Sequence, residues 1–216
     1  MTGRVISLQV GRPRSVEHAG KTIRTAIFKD AVEGPRHLGA LGFEGDGQAD
    51  RRVHGGPGQA AYAYPREHYA HWATRLPARI GEPGLFGENV TTEGLLESDV
   101  HYGDVFRLGG ARVQVTTPRV PCYKLGIRTG DPGLIEPFLH SGRLGFYLRV
   151  LEPGPVAAGD AIERLEVDPH GLTLAALIAA LFLPAPRPDE IERILAVPTL
   201  HPQHRARLEA RRAGRG

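Results

Sequence analysis

Apolar residues alternate at period two in a series of short segments before residue 168, and helical periodicity dominates the chain after it. Residues 4–10 place Ile6, Leu8 and Val10 on one face and predict a first strand. Residues 11–20 are polar and predict turns. Residues 21–28 alternate again, with Ile23, Thr25 and Ile27 opposed to Thr22, Arg24 and Ala26, so Arg24 points away from the apolar face, toward a polar interior or a loop cleft. A short strand is predicted over 60–64, and Pro65 suits the first position of a helix over 66–76 that Pro77 ends. On that helix Tyr69 and Trp72 read as core, and His68 and His71 as one exposed face. A glycine-hinged turn over 85–90 leads into the next strand. Residues 104–108 and 111–117 flank Gly109-Gly110 and predict a hairpin. A short helix over 133–140, an apolar strand over 145–151 and extended segments over 156–160 and 161–165 complete this part. Past Asp168-Pro169-His170-Gly171 the period changes, and 173–183, 189–196 and 201–212 predict three helices separated by prolines, the first capped by Thr173. The fold class is mainly β with α, in two domains: 1–168, rich in strands, and 169–216, three helices.

Composition narrows the classes. Hydrophobic content of 41% over 216 residues supplies a core, and 28 glycines with 18 prolines favour turn-rich β structure over a helical bundle. No apolar run approaches membrane-spanning length and no secretory h-region follows Met1, so a cytoplasmic protein with no membrane partner is expected. The net charge of +3 is modest, the C-terminal arginines read as a solvated helix face, and the aromatics do not interleave with basic residues. No nucleic-acid partner is expected.

Two stretches carry chemistry. The first, Thr117-Pro118-Arg119-Val120-Pro121-Cys122-Tyr123-Lys124, holds the single cysteine between prolines that oppose ordinary helix or central strand. Nearby cations favour its thiolate, the form that attacks electrophiles or binds soft metals; the alternative is a small buried hydrophobe. One cysteine excludes an internal disulfide and a cysteine-ligated cluster held by this chain alone. The second stretch, 39–58, is dense in glycine and carries Glu44, Asp46, Asp50, Arg51, Arg52 and His54. Glycines there let the backbone approach a ligand closely. No histidine is paired with Cys122 by spacing, no zinc-ligand spacing occurs, and phosphate-loop and dinucleotide fingerprints are absent. A soft sulfur beside cations, with an ionisable glycine loop, suits a large anionic cofactor that brings its own metal; a nucleophilic thiol enzyme stays open beside it.

Several ordered motifs add a resemblance. Leu41-Gly42-Phe43-Glu44-Gly45-Asp46, Val53-His54-Gly55-Gly56-Pro57, Tyr64-Pro65-Arg66-Glu67-His68-Tyr69, Phe86-Gly87-Glu88-Asn89, Gly103-Asp104-Val105-Phe106, the 118–124 segment and Gly159-Asp160 resemble, in order, the MOSC family, named for the C-terminal domain of molybdenum-cofactor sulfurase. The helical tail is similar to that of its YiiM-like bacterial branch, which carries a three-helix (3-alpha) domain. The resemblance implies a MOSC-type β-barrel holding the molybdenum pyranopterin cofactor, with Cys122 as ligand to the metal. It implies reduction of N-hydroxylated compounds of the hydroxylaminopurine or amidoxime type, with detoxification as the role, and a separate redox protein as electron donor. On it, Cys122 and His54 are the catalytic candidates. Arg24, Asp46, Arg51, Arg52, His54, Gly55, Gly56, Asn89, Arg119, Cys122 and Lys124 are cofactor-binding candidates. Arg119 and Lys124 either keep the thiolate ionised or bind the pterin phosphate, and His54 either bonds the pterin or fixes the glycine turn. Asn89 bonds the pterin or caps its turn, and Asp46 orders the loop's arginines. Family descriptions also speak of pyridoxal phosphate, for which this sequence has no separate residue evidence. A cofactor carrier or sulfur-transfer protein using Cys122 without turnover is the alternative. The apolar tail helices fit a monomer or a homodimer.

Overall fold

The computed structural model describes residues 2–50 and 55–214. In chain order, β1 (Thr2–Val10), β2 (Arg14–His18), β3 (Lys21–Thr25), β4 (Asp30–Ala31), β5 (Arg36–Gly39) and β6 (Gly42–Phe43) precede the glycine loop. Then come β7 (Ala61–Pro65), α1 (Tyr69–Trp72), β8 (Val90–Glu93), β9 (Val105–Leu108), β10 (Ala111–Pro118), α2 (Tyr123–Thr129), α3 (Ile135–His140), β11 (Phe146–Glu152), β12 (Gly154–Val156) and β13 (Ala161–Glu166). The tail is α4 (Leu174–Phe182), α5 (Pro188–Leu195) and α6 (Pro202–Arg212).

Seven strands close on themselves in the order β13-β9-β10-β11-β7-β8-β1, with β1 returning to β13. All neighbours are antiparallel except β7 and β8, so the barrel is mixed. Closure follows from the period-two code: Phe106 and Leu108, Val113, Phe146 and Leu148, Val90 and Ile162 line one interior, and pairing β1 with β13 joins the two edges of the sheet. The expected barrel, mainly β with α, is the observed one.

Four local departures have physical causes. Residues 11–20, read as turns, include β2, which pairs with β3 around Ala19 (φ 48) and Gly20 (φ 72). Val16 is its only aliphatic residue, too weak a signal, while two positive φ angles fit the twist of a tight hairpin. The helix expected over 66–76 is a 3-10 turn followed by α1 and then turns, because Tyr69 and Trp72 are drawn into an aromatic cluster with Tyr64, Phe86 and Phe138. His68 is not on an exposed face with His71: it is buried, with Nε2 2.6 Å from Glu97 Oε2. The prolines of the cysteine segment do not prevent helix nearby. Pro118 ends β10 opposite Phe146, Pro121 precedes the cap, and α2 starts directly after Cys122, stopping at Gly130 (φ 75).

The tail packs on the barrel within one continuous apolar cluster. Tyr102 donates to Thr199 O (2.8 Å), and Leu174 N–H donates to Val100 O (2.9 Å). Of the C-terminal arginines read as a solvated face, Arg212 is exposed beside Glu192, whereas three others close helix ends. Arg205 donates to Leu195 O (2.6 Å) and Val197 O (2.8 Å), Arg207 to Leu181 O (2.8 Å) and Arg211 to Leu183 O (2.6 Å). Those carbonyls lie at the ends of α5 and α4, where the helix leaves acceptors unpaired and favours positive charge. Among the described residues no helix is long and apolar enough to cross a membrane.

Candidate active site

Tyr62 on β7 and Tyr147 on β11 are direct cross-strand partners, with ring centroids 5.5 Å apart. Over them lie the end of β3, the glycine loop, the turn at Gly87 and the segment that follows β10. Together these enclose an open cleft of about 700 Å³, counting solvent at its mouth.

β10 aims one wall. After Pro118, Arg119 N–H donates to Gly145 O (3.2 Å), and the chain then leaves the barrel through the exposed Val120 to Cys122. Cys122 is half-buried on the cleft wall and caps α2. Arg119 is 5% exposed, with its guanidinium 4.9 Å from the Tyr62 ring centroid and 5.7 Å from that of Phe138. Its Nη1 is buried without a hydrogen-bond partner. Burial lowers the Arg119 pKa, but Tyr62, Tyr147 and Cys122 act against it and the net direction is upward. Burial pushes Tyr62 and Tyr147 up, with Arg119 opposing.

The opposite wall is organised by Asp46. Its Oδ1 accepts from Gly11 N–H (2.7 Å) and Lys29 Nζ (2.5 Å), and its Oδ2 accepts from Asn89 Nδ2 (2.9 Å). Asn89 is held on its other side as well, since its Oδ1 accepts from Tyr62 N–H at 3.2 Å. Asp46 therefore orders a lysine, an asparagine and a backbone amide. The expected pairing with the loop's arginines concerns Arg51 and Arg52, which with His54 lie outside the described residues. Lys29 is buried, and desolvation lowers its pKa although Asp46 acts to raise it. Gly87 (φ 81) makes the close approach possible: a Cβ there would stand 2.8 Å from Ile27 Cγ1.

Of the sequence-derived candidates, Asp46, Gly55, Asn89, Arg119, Cys122 and Lys124 line this one cleft. Arg24 does not: it is exposed on the β2–β3 hairpin opposite Ser15, because alternation turned it away from the face that meets the barrel. Gly56 (φ 88) is outside the lining and caps the 3-10 turn at Pro57. Lys29, Tyr62 and Tyr147 line the cleft without having been picked out. No local pattern marks Lys29, since its partner is 17 residues away. Tyr62 and Tyr147 read as ordinary strand residues until β7 and β11 pair. Among the described residues no group of three or more His, Cys, Asp or Glu side chains is placed to hold a metal ion, so Cys122 stands as a single soft donor.

A MOSC domain model matches residues 50–163, more than half of the chain. The chain belongs to the MOSC domain family. It is 41% identical over 202 residues to the uncharacterized protein YflK of Bacillus subtilis (strain 168), covering 94% of this chain and 91% of that one. It is 40% identical to the protein YiiM of Escherichia coli (strain K12) over 164 residues, covering 75% and 68% of the two chains. A reductase of Gibberella moniliformis is 33% identical over 167 residues, 76% of this chain but 29% of the longer fungal protein. Among solved structures, YiiM from Geobacillus stearothermophilus superposes with a TM-score of 0.78 at 30% identity, covering 97% of this chain and 99% of that one.

Within this MOSC protein the motifs divide by what they do. The Asp46, Gly87-Glu88-Asn89 and Arg119–Cys122 motifs build or support the cleft. Gly103-Asp104 builds the fold: the buried Asp104 accepts from His101 N–H (3.0 Å) and Asp168 N–H (2.9 Å). Gly159-Asp160 closes the barrel, with Gly159 N–H on Val5 O (2.8 Å) and Asp160 accepting from Ala157 N–H (2.8 Å).

Proposed function

We propose that the cleft binds the molybdenum pyranopterin cofactor, that Cys122 supplies the protein thiolate to the metal, and that the protein reduces N-hydroxylated compounds to amines or amidines. The observation that carries this reading is the convergence of one sulfur donor and buried cationic donors on a single open cleft. The donor set fits the group. A lone thiolate completes a metal that arrives with its own ligands but cannot hold a bare ion. The buried, unpartnered Arg119 Nη1 asks for an acceptor, and Lys29 has one hydrogen-bond partner for three donors. When bound, the cofactor would supply two-electron oxygen-atom chemistry. The net reaction is R–NHOH + 2 e⁻ + 2 H⁺ → R–NH₂ + H₂O.

This chain's residues hold and orient. Cys122 is set by β10 and the start of α2. Lys29 and Lys124 supply positive charge to an anionic tail. Arg119, packed against the Tyr62 ring, keeps the wall beside the sulfur positive, and Ile27 and Val120 add apolar surface to the cleft. Electrons come from a separate redox protein. The fungal relative's name as a reductase supports the reaction class. The test is metal content and turnover together. Protein from a cofactor-competent host should carry molybdenum near stoichiometry, lose it on Cys122→Ala, and reduce hydroxylaminopurine or an amidoxime with an artificial donor. Absence of molybdenum would overturn the reading in favour of a thiol enzyme; molybdenum without reduction would leave a cofactor carrier.

A further inference from the structure

A part-buried hydrogen bond links the helical tail to the start of the cysteine segment. β10 carries a bulge between Val115 and Thr117, immediately before it releases the chain toward Arg119 and Cys122. The two threonines of the bulge are tied in different directions. Thr116 Oγ1 donates to Gly58 O (2.7 Å) in the glycine loop and lies 3.1 Å from Tyr147 O on the cleft wall. Thr117 Oγ1 donates to Pro118 O (3.2 Å) and is hydrogen-bonded to Nε2 of His204 on α6. His204 is 8% exposed, and α6 is itself anchored by the buried Leu208 and by Arg205 on the end of α5. Burial, with His201 and Arg207 adding, pushes His204 down to about 4, so the ring is neutral at neutral pH and bonds as a neutral partner.

We propose that His204 is a positioning residue for the cleft: by bonding Thr117 it lets α6 fix the bulge from which β10 aims the Arg119–Cys122 wall. The tail is then part of the site's scaffold, and losing this contact loosens residues 119–125 before it loosens the barrel. The inference goes beyond the cofactor reading and holds whichever ligand Cys122 serves. A bulge is where a sheet re-aims a side chain, and an unanchored bulge has more than one register available.

The experiment is amide hydrogen exchange on the full chain, read by mass spectrometry, for wild type, Thr117→Val, His204→Phe, their double variant and His204→Gln. Iodoacetamide alkylation of Cys122 in the cofactor-free protein is timed alongside, at one fixed pH. Thr117→Val and His204→Phe are each expected to speed exchange over 119–125 at least tenfold and to change the alkylation rate. The double variant should be no faster than either single, and His204→Gln, whose amide reaches the Nε2 position, should recover most of the effect. Exchange changes confined to α5 and α6, with 119–125 within twofold of wild type, would overturn the proposal, as would effects that simply multiply in the double variant. Neither readout depends on molybdenum, so failure here is distinct from failure of the cofactor reading.

Discussion

Asp46→Asn isolates the element that holds the cleft's second wall. The carboxylate side chain is 4% exposed and that of its partner Lys29 9%, with 2.5 Å between charged atoms. The substitution preserves shape but leaves an ammonium buried without its counter-ion, and it puts an amide where Oδ1 and Oδ2 accepted from Lys29, Gly11 and Asn89. Removing one partner of a buried pair costs about 3–5 kcal/mol. The sign of the pH dependence follows from Lys29. Its folded pKa is already below 10.5 through desolvation, and Asp46 is the first influence opposing that shift. Without Asp46 the folded value falls further, so between it and 10.5 the unfolded chain binds more protons than the native one, and stability rises with pH. Urea unfolding of wild type and variant between pH 6 and 10 should therefore show a deficit of about 3–5 kcal/mol near neutrality that narrows as pH rises. A deficit below about 1 kcal/mol, or one independent of pH, would refute the view that Asp46 is the counter-ion of a buried lysine.

Three further outcomes follow from the same geometry. His204 is depressed from 6.5 to about 4, so its contribution is fully present above pH 6.5 and is lost as pH falls toward 4. Wild type should lose about 3 kcal/mol relative to His204→Phe across that window, at roughly 1.4 kcal/mol per unit, in parallel denaturant titrations. Arg205→Ala removes two bonds to the end of α5 and should cost about 1–2 kcal/mol by chemical denaturation, with Arg205→Lys restoring only part because a lysine has no fork. Gly103→Ala combines φ +96 with a Cβ 2.4 Å from Asp168 Oδ2, and a loss of about 2–4 kcal/mol by thermal or denaturant melting is expected; a neutral result would mean that the 168 loop moves freely.

The barrel was legible because its code is local. Val113 and Val115 alternate with Arg112, Gln114 and Thr116 whatever the rest of the chain does, and the helical period marked the tail in the same way. Cys122 was legible because it is the single cysteine in the sequence, and Asp46, Asn89 and Arg119 because their motifs carried a resemblance. The structure then distinguished the cleft-lining Asn89 from the fold-building Asp104, which motif matching ranks alike.

What the sequence by itself determined, then, is which residues are buried in most of the barrel strands, where the three tail helices begin, and that one sulfur sits among cations. Only the tertiary structure decided who partners whom. Lys29 meets Asp46 across 17 residues, Asn89 meets it across 43, and His204 meets Thr117 across 87. Arg205 and Arg207, solvated by composition, became caps only when α5 and α4 brought their open carbonyl ends to α6. The physical reason is that hydrophobic period reports a residue's face within its own element, whereas closing the barrel desolvates charges from distant elements together. A charge or hydrogen-bonding group taken out of water must find its complement wherever the topology has brought one.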